Sequence, residues 1–500
     1  MLWTALNLPQ LPLDCYAGGA APAAFAVIEK RRIHMANAQA RASGVKSGLA
    51  LSAALALCPA LQWQERDTRA EKAALDALSL WALQYTSSVS LAAPHGLLLE
   101  TGGSARLFGG LDALLAQIAT GVTEQGYRAV LASSPTPTGA LMLARSAYAE
   151  HVTTLAELRH ILPGLPVTAL LGAQAYTSTF ETLGARTVAD LLALPRDGLK
   201  RRFGDFLLDE LDRAFGHAPD PVRPVVPPQS FTCSLPLPAP ADSSEALVYA
   251  SGRGLRQLAG FLRAGKQAVD RIELTMHHER NTRRDTVPGG ATPNDTILTL
   301  HLMQPSADAR RFTLLLTERL NRYTLERRVE RITLAAPQLL RSEEVTHSLL
   351  LEEENSAKDM RDLLERLHAR LGPEAVRQLK VRADHRPARA SGGVALLEAA
   401  VQAPLAAQKK PKEPLPVPAF GPRPVWFLDP PRPLDEVGNA PFYQGPLKLL
   451  SSPERLESGW WDIEPVRRDY FIAQTVEGAL VWIFRDYKKP LGWFLQGYFA

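Results

Sequence analysis

The sequence predicts an α+β protein of several domains, and three observations predict it. Strand-like and helix-like patterns alternate through the first 145 residues and again from 243 to 340. Proline-rich stretches at 219–240 and 404–424 divide the chain into separately folding units. The last segment, 424–500, carries alternating aromatic runs, which predicts a small, mainly-β domain.

Five hundred residues are enough for three or four cores. No apolar run is long enough to span a membrane, and MLWTALNLPQLPLD has no basic region before its apolar stretch. We therefore expect a cytoplasmic protein with no membrane partner. Cys15, Cys58 and Cys233 stand too far apart for a metal-ligand or redox pair and read as buried fillers. A net charge of +4 permits nucleic-acid binding without requiring it.

Residues 2–13 read as a strand closed by a turn at Pro9 and Pro12, and 25–33 (FAVIEKRRI) as a second strand. Leu75, Leu78, Ala82 and Tyr85 share one face of a helix across 71–88. His95–Gly110, HGLLLETGGSARLFGG, opens as a buried strand and ends in a glycine-rich turn. A helix over 111–125, a strand over 129–133 and a proline-entered helix over 135–145 follow. We expect the helices on one face of this sheet.

In LLALPRDGLKRRFG, Lys200, Arg201 and Arg202 form either a solvated helix face or a grip on phosphate. Beyond the stiff 223–240 linker, the order helix (243–266), strand (270–278), strand (295–303), helix (307–325), strand (329–335) predicts a second α/β unit. Arginines 280, 283, 284, 310, 311, 327, 328 and 331 gather at its strand ends, suited to salt-sensitive phosphate binding. His277-His278 reads as a solvated pair rather than a metal site. An apolar tetrad, Ser348-Leu349-Leu350-Leu351 after His347, stands alone in an acidic stretch. An amphipathic helix follows over 359–372.

Several of these runs resemble Y-family (DinB/UmuC-like) DNA polymerases. Gly103–Gly110 is similar to the loop after the catalytic strand. Ala40-Arg41-Ala42-Ser43-Gly44-Val45-Lys46-Ser47-Gly48 with Cys58-Pro59 resembles the fingers signature, and Leu183–Leu191 a thumb pattern. LLALPRDGLKRRFG, ADHRPARA, RPVWFLDPPRPL and SGWWD with VRRDYF are similar to the catalytically degenerate branch carried in bacterial mutagenesis operons. The resemblance implies palm and fingers over 1–159, a thumb over 160–222, a linker over 223–240 and a little finger over 241–340. A clamp-motif region over 341–423 and an interaction domain over 424–500 complete it.

The family's palm strands carry metal-binding acids where this chain has Asn7, His95 and Gly96. Two-metal phosphoryl transfer needs several carboxylates, since Mg²⁺ is a hard ion bound through oxygen. An amide, an imidazole and a glycine do not supply them. On a strand Glu100 points away from position 95 and lies about 13 Å from Gly96, and Asp14 would face the opposite side from Asn7. Arg41 remains from the family's triphosphate grip, but its tyrosine partner is replaced by Ala38.

The resemblance thus implies a pseudo-polymerase with no cofactor, acting at the nucleoid in the SOS response as an adaptor for translesion synthesis. DNA would be held by Lys200, Arg201, Arg202, Arg310, Arg311, Arg327 and Arg328, and the sliding clamp by His347, Ser348, Leu349, Leu350 and Leu351. Its other implied partners are ImuA, a RecA-like protein, and a C-family error-prone polymerase. The alternatives are an active translesion polymerase with unconventional metal ligands, and a DNA-binding protein with no clamp link.

Overall fold

The structure, a computed structural model, describes residues 1–17, 23–92, 94–148, 150–279, 295–342, 351–372, 375–382, 384–395, 422–461, 465–488 and 491–499. The chain divides into two units, Met1–Arg370 and Leu371–Ala500.

The first strand, β1 (Trp3–Asn7), is shorter than expected. Leu11–Ala17 form a helix, α1, because Pro12 sits in its first turn, where no N–H is needed and its fixed φ suits a helix. The expected single strand over 25–33 is a hairpin of β2 (Phe25–Glu29) and β3 (Arg32–Ala36). Lys30 and Arg31 turn it, both in the left-handed region at φ 52° and 63°. Two short helices follow, α2 (Ala38–Ala42), capped by Asn37, and α3 (Leu51–Leu57); β4 (Gln62–Glu65) then pairs parallel with β2.

Asp67 caps α4 (Thr68–Ala82), its carboxylate accepting from the amides of Arg69 and Ala70. Then come β5 (Val89–Ala92), β6 (Gly96–Glu100), α5 (Leu111–Glu124), β7 (Val130–Ser134) and α6 (Pro137–Arg145). The sheet order is β5-β6-β1-β7, antiparallel throughout. Both of its faces are buried, against the expectation of helices on one face. Leu6, Leu97 and Leu99 pack on α4 and α5, while Trp3, Ala5 and Leu98 pack on α6 and the helices after it. That accounts for the unbroken Leu97-Leu98-Leu99 run, since a strand covered on both sides needs no polar alternation.

A helical region follows, with α7 (Leu155–Ile161), α8 (Leu171–Gln174), α9 (Thr177–Thr182), α10 (Val188–Leu192), α11 (Arg196–Phe203) and α12 (Asp205–Ala214). It is tied to α6 by buried Glu210, which accepts from the amides of Leu171 (2.9 Å) and Gly172 (3.0 Å) and from Arg145 (3.1 Å). The connecting segment runs beside the first sheet, where the Val225 amide donates to the Val89 carbonyl at 2.7 Å and covers the β5 edge.

The expected linker is half strand: Phe231–Ala241 form β8. Its Leu-Pro-Leu-Pro-Ala-Pro-Ala run reads as a stiff connector, yet alternate prolines suit an edge strand whose unpaired side needs no N–H. It precedes α13 (Ser244–Ala264), β9 (Gln267–His278), β10 (Asp295–Ser306), α14 (Ala309–Leu320), β11 (Val329–Ala336) and the short β12 (Leu340–Arg341). The order β10-β9-β11-β8 turns one face onto α13 and α14 around Ile272, Leu274, Met276 and Phe312. The helix expected over 359–372 begins earlier, as α15 (Leu351–Leu371).

The second unit pairs β13 (Arg377–Val381) with β14 (Ser391–Ala395), with α16 (Pro387–Ala390) between them. The expected aromatic domain is antiparallel. It contains β15 (Trp426–Pro433), β16 (Asp435–Val437), β17 (Ala440–Phe442), β18 (Lys448–Leu449), β19 (Glu454–Ser458), β20 (Val466–Gln474), β21 (Leu480–Asp486) and β22 (Gly492–Tyr498). The turn expected at Glu477-Gly478 joins β20 to β21, with Gly478 at φ 93°; Lys489-Pro490 lies outside the described residues. Trp482 stacks on Tyr470 at 4.3 Å inside one core and Trp493 packs in the other, while Trp426, Trp460 and Trp461 stay exposed.

Candidate functional site

The strand register brings Asn7, His95 and Gly96 together. Asn7 pairs with Gly96 across β1 and β6, and the Leu8 amide donates to the His95 carbonyl at 2.7 Å. The His95 ring faces α4, with Nε2 3.5 Å from Glu71 Oε2. Glu71 is already engaged by Arg66, Nε to Oε1 at 2.7 Å and Nη2 to Oε2 at 3.0 Å. Arg66 Nη1 also lies 3.5 Å from Glu29. Burial alone would push the Glu71 carboxyl up, but hydrogen bonding and charge from His95 and Arg66 outweigh it and bring it down to about 2.

The carboxylate beside His95 is therefore neutralised by a bidentate arginine rather than presented to a cation. These residues do not fit the pair of metal ions that the resemblance implies for an active polymerase. Among the described residues no cluster of three or more His, Cys, Asp or Glu side chains is arranged for a metal ion.

The two other acids near these strands are used elsewhere. Glu100 pairs with Trp3 at the far end of β6 and accepts from the amides of Leu2 (3.3 Å) and Gly103 (3.2 Å), fixing the glycine-rich turn. Asp14 lies on α1, not on a strand continuing β1, so the facing argument from strand geometry does not apply to it. Its carboxyl accepts from the Arg128 amide at 2.9 Å. Burial raises it to about 6, opposed by the Arg128 amide and by the charges of Arg128 and Arg253.

A carboxyl raised in the fold from 3.8 favours the folded state fully below pH 4 and opposes it once ionised above pH 6. Asp14→Asn keeps an acceptor for the Arg128 amide. It is expected to stabilise the protein by on the order of 2–3 kcal/mol at pH 8 and by nothing at pH 4. Urea unfolding at the two pH values checks this; equal effects at both would refute it.

The proposed DNA-binding residues fall in three places. On α11, Lys200, Arg201 and Arg202 are exposed; Lys200 pairs with Asp205 at 2.8 Å and Arg202 lies 5.8 Å from the Phe203 ring centre. Arg310 and Arg311 open α14, while Arg327 and Arg328 precede β11. These two pairs do not form one cluster. Ser306 pairs with Val269 at one end of β9 and Val329 with His278 at the other, about 30 Å along the strand.

Arg311 also leaves the set of exposed cations. Its Nε and Nη2 lie 2.9 and 2.7 Å from Glu365, which is buried and also accepts from the Met303 amide, so Glu365 fastens α15 to α14 through Arg311 and to β10 through Met303. Arg280, Arg283, Arg284 and His347–Leu350 lie outside the described residues, and the side chain of Leu351 is not described.

What the sequence reading missed is the sheet face opposite α13 and α14. Alternation along the strands brings out Ser234, Arg271, Thr275, His277, Thr299 and Thr333, hydroxyls and bases suited to a phosphate backbone, together with Glu273, which lies 3.4 Å from Arg271. His277 is held there by Asp295 (3.0 Å) and shares a hydrogen bond with Thr333 (2.9 Å). His278 is buried and shares one with Thr296 (2.8 Å), so the two histidines face opposite ways rather than forming a solvated pair. The period-two pattern of 271–277 carried this signal.

Residues 17–145 match the impB/mucB/samB family. Over 460 residues the chain is 27% identical to Protein ImuB of Caulobacter vibrioides strain NA1000 / CB15N, covering 89% of this chain and 96% of that protein. The ImuB of strain ATCC 19089 / CIP 103742 / CB 15 gives the same figures. Over most of its length the chain is similar to these ImuB proteins. Among solved structures, a Dbh ternary complex superposes with a TM-score of 0.37 at 15% identity, covering 68% of this chain and 99% of that one. DinB from Sulfolobus solfataricus gives 0.36 at 16%, covering 69% and 100%. The family match takes in His95, Gly96 and Arg41 but begins after Asn7. Arg41 is exposed on α2.

Proposed function

We propose that this ImuB homologue is a non-catalytic, polymerase-like adaptor in damage-induced translesion synthesis. It binds DNA without sequence preference and links the sliding clamp to ImuA, a RecA-like protein, and to a C-family error-prone polymerase that performs the synthesis. The observation that carries the reading is the pairing of Asn7 with Gly96 beside His95, an imidazole–amide centre whose neighbouring Glu71 is taken by Arg66. A scaffold of this kind keeps surfaces for DNA and partners while lacking the oxygen cage for two metals. In this reading residues 1–159 act as palm and fingers, 160–222 as thumb and 241–340, with β8, as little finger. The exposed Trp426, Trp460 and Trp461 belong to the partner-binding domain.

DNA affinity is expected to fall steeply with salt, about 10³-fold between 50 and 200 mM for six phosphate contacts, through counterion release. Reversing charge at Arg201, Arg202, Arg310, Arg327 and Arg328 is expected to lower that slope by about one for each phosphate no longer neutralised. Arg311 is left intact, because its removal would strand Glu365 inside the fold. Fluorescence anisotropy on primer–template DNA checks this. A flat salt dependence, or a slope unmoved by the reversals, counts against the basic faces.

Leu349, Leu350 and Leu351 are proposed to anchor the chain to the clamp. Replacing all three with Ala removes about 1.5–3 kcal/mol of burial per side chain if each is fully covered in the complex. Even a third of that sum weakens the contact tenfold or more. Pull-down with purified clamp is expected to lose the variant while its DNA binding and C-terminal partners remain. Damage-induced mutagenesis in cells should collapse with it. Unchanged clamp binding refutes the assignment.

A further inference from the structure

A cavity of about 580 Å³ opens between α1, β8 and α13. Much of its wall is apolar, with Leu235, Leu237, Pro238 and Val248 along β8 and α13 and Tyr16 on α1. Arg253 also lines it, although only 6% of this residue is exposed. Arg253 Nη1 donates to the Cys15 carbonyl at 3.3 Å, and the guanidinium lies 4.4 Å from the centre of the Tyr127 ring. Nη2 is buried with no hydrogen-bond partner among the described residues.

Other buried polar atoms here are also left open: Gln125, which lines the cavity, has its amide oxygen unpartnered among the described residues. Gln257, fully buried, accepts from the Cys233 thiol at 3.0 Å but leaves its amide nitrogen unpartnered among the described residues. Neither a carbonyl nor a ring neutralises a buried guanidinium, and removing such a charge from water is costly without an anion. The Asp14 carboxyl on the facing helix is near enough for its charge to act on Arg253, but it accepts from the Arg128 amide and leaves Nη2 without an oxygen.

We propose that this cavity binds a small organic anion, its apolar body along the β8–α13 wall and its carboxylate or phosphate head on Arg253. The volume suits such a ligand. The planar guanidinium suits either head, since both offer two oxygens to a bidentate fork. Arg256 adds a second cation among the lining residues, but Glu124 and Asp242 also line the cavity, which favours a ligand of low charge. Because the walls come from both α/β layers of the first unit, an occupant tethers them and resists unfolding.

Thermal unfolding and calorimetry of the full chain test this with decanoate, 1-naphthoate, thymidine 5′-monophosphate and inorganic phosphate. At least one organic probe is expected to bind and raise the midpoint by several degrees. The responding head group identifies the source as carboxylate or phosphate. Arg253→Gln is expected to weaken that binding tenfold or more. Ala246→Trp, a change at an exposed helical position that narrows the cavity and leaves Arg253 in place, should do the same. Failure of every organic probe overturns the proposal. So does undiminished binding in either variant, or inorganic phosphate binding as tightly as the best organic probe.

Discussion

A primer–template incubated with the purified protein, four deoxynucleotides and Mg²⁺ or Mn²⁺ is expected to remain unextended. Metal stabilisation of a phosphoryl-transfer transition state contributes several kcal/mol, so its loss costs about three to four orders of magnitude in rate. The acids within reach do not replace it. Glu71 is clamped by Arg66, Glu100 holds the far end of β6, and Asp14 bonds the Arg128 amide. Installing carboxylates at Asn7, His95 and Gly96 together is expected to yield little activity. A Cβ at Gly96 would sit 3.2 Å from the Ala92 carbonyl oxygen and 3.3 Å from that of Leu6, so any side chain there strains two strands. Template-dependent incorporation that disappears in Glu100→Ala or Asp14→Asn would overturn the non-catalytic reading.

That expectation was legible in the sequence because it rests on residue types in a strand motif. Antiparallel register then fixes Asn7 opposite Gly96 once both strands are placed. What the sequence did not yield was what now surrounds the centre. The Glu71–Arg66 pair joins two elements close in sequence, yet nothing local says that a salt-bridged carboxylate faces His95 from α4. The first-turn position of Pro12 was a usable helix signal that strand-like leucines concealed. β8 was hidden by its prolines, which penalise a central strand but suit an unpaired edge. The arginines looked like one cluster because they are close in sequence. The strand pairing separates Arg310 from Arg328 by the length of β9, and α15 claims Arg311.

Among the contacts that join the two sheet-and-helix parts of the first unit is one large side chain, and this gives the second large effect. Trp81, 4% exposed at the end of α4, lies between Gly121 of α5 and Gly260 of α13. A Cβ on Gly260 would stand 2.4 Å from Trp81 Cδ1 and 2.7 Å from Gln84 Nε2; one on Gly121 would stand 2.5 Å from Trp81 Cζ2. Both approaches are closer than packed atoms tolerate, so the helices accept Trp81 only because these positions lack side chains.

In an isolated helix Gly260→Ala would gain about 1 kcal/mol from propensity. Here overpacking, on the order of 1–3 kcal/mol or more, should reverse that sign and loosen α13 from α4. Trp81→Ala is expected to cost about 3–5 kcal/mol through the cavity it leaves. The double variant separates the causes. Once the indole is gone, adding Gly260→Ala should no longer destabilise and should return the propensity gain, a coupling that independent sites do not show. Denaturant unfolding, read beside limited proteolysis at the segment joining α12 to β8, measures all three. If Gly260→Ala destabilises equally with and without Trp81, its cost arises from some other contact and the indole does not hold these layers together.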